Sequence, residues 1–99
     1  MISRQWRGVS KPEHAEAYVE HLRSETFPAI RKIPGFVSAS ILRRSTQEGV
    51  EFLIATEWMS IEAIREFAGV EIEAAVVPSN VQGMMVTYDH VVRHYEVVV

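Results

Sequence analysis

Arg4 and Trp6 alternate along one face of a stretch near the start of the chain, and His94 and Glu96 alternate along one face of a stretch near its end. If the two stretches pair antiparallel with Arg4 opposite Glu96, Trp6 opposite His94 and Ile2 opposite Val98, the four share one face at adjacent positions. A histidine beside a carboxylate acts as a base near neutral pH, and an aromatic wall holds a flat ligand. The bland reading of the same residues is a buried Arg4–Glu96 ion pair with a packed Trp6 and a hydrogen-bonded His94. Both readings stand here, with His94 as the candidate catalytic residue and Arg4, Trp6 and Glu96 as candidate ligand contacts.

Three more residues join that candidate set. Tyr18 and His21 are three apart on a helical pattern and can face the sheet together. Trp58 ends a strand pattern, and its indole N–H needs a partner if buried. Each also has an ordinary role: Tyr18 and Trp58 as packing, His21 as an edge residue. His14 falls in a first helical turn and reads as solvated. Asp89, His90 and His94 do not make a metal site. Neighbours in a strand point to opposite faces, and His90 and His94 stand roughly 13 Å apart at about 3.3 Å per residue. No metal or cofactor is expected, and no phosphate loop, nucleophile elbow or zinc motif is present.

The totals narrow the classes. A chain of 99 residues makes one domain, spanning 1–99, with enough length for a real core. The formal net charge is −3 and the basic residues are scattered, which argues against a nucleic-acid partner. There is no cysteine, so disulfides and thiolate chemistry are excluded. No window approaches the length of a membrane span and the amino terminus has no apolar signal core, so a soluble cytoplasmic protein is expected.

The elements that must position these side chains read as follows. Ile2 to Val9 alternates as a first strand. Ser10, Pro12 and Glu13 form a helix start, with Ser10 as the cap and Glu13 closing a capping box. Ala15, Tyr18, Val19, Leu22, Thr26 and Ile30 continue the apolar stripe, Pro28 kinks or restarts the helix near Thr26, and Pro34-Gly35 ends it. Phe36 to Arg44 and Val50 to Trp58 form a hairpin across Ser45 to Gly49. Symmetry about Gln47 sets Leu42 against Phe52, Ser40 against Ile54, Phe36 against Trp58 and, on the reverse face, Arg43 against Glu51. Ser60 caps a second helix over Ile61 to Ala68, stopped by Gly69. Glu71 to Val77 reads as a short helical turn, Ser79 to Tyr88 as a weak helix, and Val91 to Val99 as the terminal strand. The order is that of an α+β, ferredoxin-like split βαβ fold with a four-stranded antiparallel sheet. Both faces of the hairpin carry apolar residues. Helices cover one, and a second copy of the chain is the expected cover of the other, making a homodimer.

Five stretches together resemble the antibiotic biosynthesis monooxygenase-like family: Trp6 to Gly8, Pro34 to Phe36, Glu57 to Gly69, Ala74 to Pro78 and His94 to Val97. The resemblance spans almost the whole chain. It implies a dimeric α+β barrel with a pocket between sheet and helices in each subunit. It also implies an activity among cofactor-independent oxidation of phenols or quinols and haem degradation. The haem degraders use an Asn on the first strand and a His and a Trp near the second helix. Here residues 1 to 79 hold no Asn and no His lies between Glu57 and Tyr88, although Trp58 matches the Trp. The expectation is a cofactor-independent monooxygenase acting on a small aromatic or quinol-like compound. The alternative is a non-catalytic binding or structural dimer.

Overall fold

The computed structural model describes residues 1–99. Strand β1 (Ile2–Ser10) lies in the middle of one antiparallel sheet beside β3 (Val50–Trp58), and β3 carries β2 (Phe36–Ser45) on its other edge. The free edge of β1 takes two short strands, β4 (Met85–Tyr88) and β5 (Arg93–Glu96). The order β2-β3-β1-β4/β5 is the ferredoxin-like arrangement that the element pattern implies, with its last strand split in two.

The first helical stretch changes character along its length. A 3-10 turn (Pro12–His14) leads into α1 (Ala15–His21), then a π segment (Leu22–Thr26), then α2 (Phe27–Ile30). Pro28 explains the break. It has no N–H to bond back into the preceding turn, and the wide π turn accommodates that loss. The expected cap is not used. Ser10 still pairs with Val50 and Met85 as strand, so the helical stretch begins after Lys11, and the buried Ser10 hydroxyl has no hydrogen-bond partner. Ser60 does cap α3 (Ile61–Ala68): its hydroxyl accepts from the Ala63 amide at 3.2 Å, and Gly69 stops the helix at a φ of 82°. Gly35 turns the chain into β2 at a φ of 98°, where a Cβ would stand 2.7 Å from that of Ala63.

The hairpin register differs from the symmetric expectation by one residue. Leu42 opposes Leu53, Ile41 opposes Ile54, Arg43 opposes Phe52, and Arg44 rather than Arg43 opposes Glu51. The link is four residues, Thr46 to Gly49, because the Thr46 amide and hydroxyl both donate to the Gly49 carbonyl. A one-residue slip exchanges the faces of a strand. Here it sends Ile41 and Ala39 toward the helices and leaves Ser38 and Ser40 on the open side. A bulge between Phe36 and Ser38 absorbs the extra residue, so Phe36 still meets Trp58.

The end of the chain departs most from expectation. Ser79 to Tyr88 is not one helix: α4 covers only Ser79–Gln82, and Met85–Tyr88 is β4. The unpaired edge of β1 at Gly8 to Ser10 selects strand for the β-branched and aromatic Val86, Thr87 and Tyr88. Glu71 to Val77 keeps a single hydrogen-bonded turn, the Ala74 amide donating to the Glu71 carbonyl at 3.1 Å, and then runs as an irregular crossing, tied to the sheet edge by an Ala74–Val91 bridge and by bonds from the Ala75 amide to the His90 carbonyl and the Val92 amide to the Glu73 carbonyl. Only Arg93–Glu96 of the expected terminal strand pairs with β1, and Val98 and Val99 are exposed.

The core fills the space between one sheet face and the helices, around fully buried Phe52, Trp58 and Ile64. The opposite face has no cover within the chain: Leu42 is 50% exposed, and Val37 and Tyr95 are nearly as open. No helix is long and apolar enough to cross a membrane.

Candidate functional site

A cavity of about 80 Å³ lies between the covered face of the sheet and the first helical stretch, closed above by the crossing segment at Val76 to Pro78. Strand alternation delivers its floor. Arg4 and Trp6 come from β1, Ile54 and Thr56 from the facing positions of β3. Tyr18, His21, Leu22 and Thr26 supply one wall from the helical stretch, and Phe67 of α3 closes an end.

Arg4 is the only cation among the lining residues, at 4% exposure, and no carboxylate pairs with it. Its guanidinium donates to the Ile72 carbonyl, to the Ala74 carbonyl at 3.2 Å and to His94 Nε2 at 3.0 Å, and lies 5.7 Å from the centre of the Phe67 ring. Burial lowers its pKa to about 10, so it stays cationic at neutral pH. The two carbonyls belong to the crossing segment, so Arg4 holds down the roof of the cavity as well as charging its floor.

The Arg4 contact fixes the state of His94. Arginine has only donors, so His94 Nε2 must accept, and the ring is neutral with its proton on Nδ1. The His94 pKa lies below its ordinary value because of burial first and the Arg4 charge second, with Glu73 opposing. His94 does not line the cavity; it stands behind Arg4. The register correction accounts for this. Arg4 opposes His94 and Ile2 opposes Glu96, two residues away from the guessed pairing; the departure of Asp89 to Val92 from the sheet between β4 and β5 sets His94 rather than Val92 opposite Arg4. Faces survive a two-residue slip, but partners do not. Glu96 is exposed and forms no ion pair with Arg4, so the Arg4–Glu96 pair of the bland reading is not made.

Trp6 and Tyr18 form the aromatic part of the wall. The Trp6 ring lies against Gly8, where a Cβ would meet it at 2.4 Å, so glycine is what lets the indole settle on the strand. Its Nε1 donates to the Asp89 carbonyl at 2.8 Å, which pins the excursion after β4. Tyr18 sits 6.0 Å from Trp6 and edge-on to Phe52 at 4.9 Å. Burial pushes the Tyr18 phenol well above its ordinary value, so it is a neutral donor. Trp58 lies below the cavity rather than in it: its indole stacks on Phe67 and donates to the Thr56 hydroxyl at 2.9 Å.

His21 lines the cavity with a side chain 9% exposed, and its Nδ1 meets a Glu25 carboxylate oxygen at 3.1 Å. A carboxylate only accepts, so Nδ1 carries the proton and Nε2 has no partner within the protein. Of the residues singled out from sequence, the structure gathers Arg4, Trp6, Tyr18 and His21 around one cavity and leaves His94, Trp58 and Glu96 outside its lining. Sequence reasoning missed Phe67 and Thr56 as lining residues and the Ile72 and Ala74 carbonyls as Arg4 acceptors. Phe67 was legible as the apolar side of α3. The path of residues 70 to 78 has no periodic signal. No group of three His, Asp or Glu side chains is assembled that could hold a metal.

Structures of similar shape are known. A candidate antibiotic biosynthesis monooxygenase from Bacillus cereus is 21% identical over 99% of this chain and 94% of its own, with a TM-score of 0.66. The heme-degrader MhuD from Mycobacterium tuberculosis, with two hemes bound in its active site, is 20% identical over 100% of this chain and 97% of its own, with a TM-score of 0.60. A Streptomyces coelicolor monooxygenase in complex with nanaomycin D is 24% identical over 71% of this chain and 61% of its own, with a TM-score of 0.50. These likenesses speak for the fold. Comparison with curated proteins finds no match. Residues 5–71, well over half of the chain, match the sequence profile of one family, and with the sheet order and the sheet-to-helix cavity this places the chain in the antibiotic biosynthesis monooxygenase family.

Proposed function

We propose that the chain is a cofactor-independent monooxygenase that oxidises a small single-ring phenol or quinol in this cavity, working as a homodimer. The observation that carries the reading is an aromatic-lined cavity with one buried cation in its floor. Three of the five N–H donors of Arg4 have partners, which leaves two for a ligand oxygen. A cation in an apolar enclosure favours a phenolate far more than water does. A ligand-bound monooxygenase shares the fold.

The cavity volume limits the substrate. At 80 Å³ it is about half of the roughly 150 Å³ that holds a benzene ring in an engineered protein cavity. One ring therefore requires outward movement of the lining, and Val76 and Val77 are the lining residues that lie in no helix or strand and lead into Pro78. A porphyrin does not fit without a several-fold enlargement, since even ordinary ligand pockets begin near 300 Å³. The reaction balances without a cofactor. The phenolate gives one electron to dioxygen, the radical pair joins at the para carbon, and the resulting hydroperoxide loses water. One phenol and one dioxygen give one quinone and one water.

Oxygen uptake over a panel of single-ring phenols tests this. The expected result is one dioxygen consumed per quinone formed without added metal or flavin, reduced at least about tenfold in Trp6→Ala. Absence of both uptake and binding across the panel contradicts it. The second reading, a binding module without turnover, is favoured by the engagement of His94 with Arg4; it predicts phenol binding with no oxygen uptake. The homodimer rests on the uncovered apolar sheet face at Val37, Leu42 and Tyr95. Native mass spectrometry should show two copies, and a monomer at micromolar concentration contradicts it.

A further inference from the structure

We infer that His21, oriented by Glu25, is the base that takes the phenolic proton of the bound substrate. The inference rests on the phenol reading above and adds a residue that acts on the reacting atom.

The arrangement has three parts. His21 lines the cavity, while its partner Glu25, four residues on, is 68% exposed. The carboxylate therefore approaches from solvent and the ring faces inward company. The hydrogen bond at 3.1 Å holds the proton on Nδ1, so Nε2 presents a lone pair with no competitor in the protein. His21 also stands where α1 gives way to the π segment Leu22–Thr26. Such wide turns recur at functional sites, and this one places Leu22 and Thr26 in the same wall as Tyr18 and His21. His94 is placed differently: it stands outside the cavity lining, its lone pair accepts from Arg4, and that neighbour is a cation.

In the step, the phenol O–H bond breaks and an N–H bond forms at His21 Nε2. The imidazolium is stabilised by the Glu25 carboxylate and the phenolate by Arg4, on the sheet side of the same cavity. After the phenolate has given its electron to dioxygen and the peroxide has formed, the imidazolium returns the proton to the peroxide oxygen. The base is then ready for another cycle. General bases of this kind contribute about 10²- to 10⁴-fold to a rate.

The test uses 4-nitrophenol, whose anion absorbs in the visible, bound without oxygen so that ionisation is read apart from turnover. Wild-type protein and His14→Ala, a substitution remote from the cavity lining, are expected to bind it as the anion. His21→Gln should bind within about threefold of wild type, hold it as the neutral phenol, and turn over the active members of the panel at least about 100-fold more slowly. Glu25→Gln leaves the wall intact and touches only an exposed side chain, so it guards against a folding defect at position 21; it should lose about tenfold in turnover. Anion formation and turnover that persist in both variants overturn the inference while leaving the phenol reading in place. Failure of the wild-type protein to bind any phenol overturns both.

Discussion

One histidine lines the cavity and another stands behind its floor, and each has a charged neighbour. On the helical wall His21 meets the Glu25 carboxylate; on the sheet floor His94 meets the Arg4 guanidinium. Both rings carry their proton on Nδ1, yet the two nitrogens that remain have opposite fates. His21 Nε2 is left for a ligand, whereas His94 Nε2 is consumed as an acceptor. Burial first, and the Arg4 charge second, also depress protonation of His94. The sign and bonding capacity of the neighbour, rather than the residue type, decide which ring has a lone pair without a partner and which has its lone pair bonded.

Removing Arg4 breaks the comparison most severely. Arg4→Met deletes three hydrogen bonds and leaves the Ile72 and Ala74 carbonyls and His94 without their donor. Bonds to charged groups contribute about 1.5–3 kcal/mol each and do not add fully, so a loss of about 2–4 kcal/mol in urea unfolding is expected. The Ala75 and Val92 amides, which tie the crossing segment to the sheet edge, should exchange hydrogen faster in this variant.

His94→Leu removes one of those bonds and should cost about 1–2 kcal/mol, while turnover of bound phenol stays within about threefold. A small stability change with a large loss of turnover would return the base to the sheet side. Acid sharpens the same point. The His94 pKa in the folded chain lies below the ordinary 6.5 that the unfolded chain shows, so the unfolded state takes up the proton first. Stability from this group is complete above pH 6.5 and falls as the pH drops toward the depressed value; His94→Leu should flatten that slope.

His21→Gln is the smallest expected change in stability. Its partner is largely exposed, so unfolding should shift by less than about 0.5 kcal/mol even as turnover collapses. The two histidine variants should thus cross: one costs stability and spares chemistry, the other the reverse.

Much of this architecture was legible in the chain. Alternation put Arg4 and Trp6 on one face, helical spacing put Tyr18 and His21 on one wall, Pro28 announced the break in the first helical stretch, and Ser60 and Gly69 bounded α3. Registers were less legible because they depend on small local bonds. The Thr46 hydroxyl and amide shorten the hairpin link, and that alone moves Arg44 opposite Glu51. The bond from Trp6 to the Asp89 carbonyl draws the chain out of the sheet, and that moves His94 opposite Arg4. Residues 70 to 78 were the least legible. Their path is set by carbonyl acceptors for a distant guanidinium, and backbone carbonyls have no residue-type signature.

Nitrogen-15 NMR of the imidazole side chains, with and without a bound single-ring phenol and without oxygen, tests the central claim most directly. It reports the protonation of each ring nitrogen at each histidine. Phenol binding is predicted to add the phenolic proton at His21 Nε2, with His94 neutral throughout. Protonation of His94 with His21 unchanged, or a bound phenol that changes neither ring, would contradict the account.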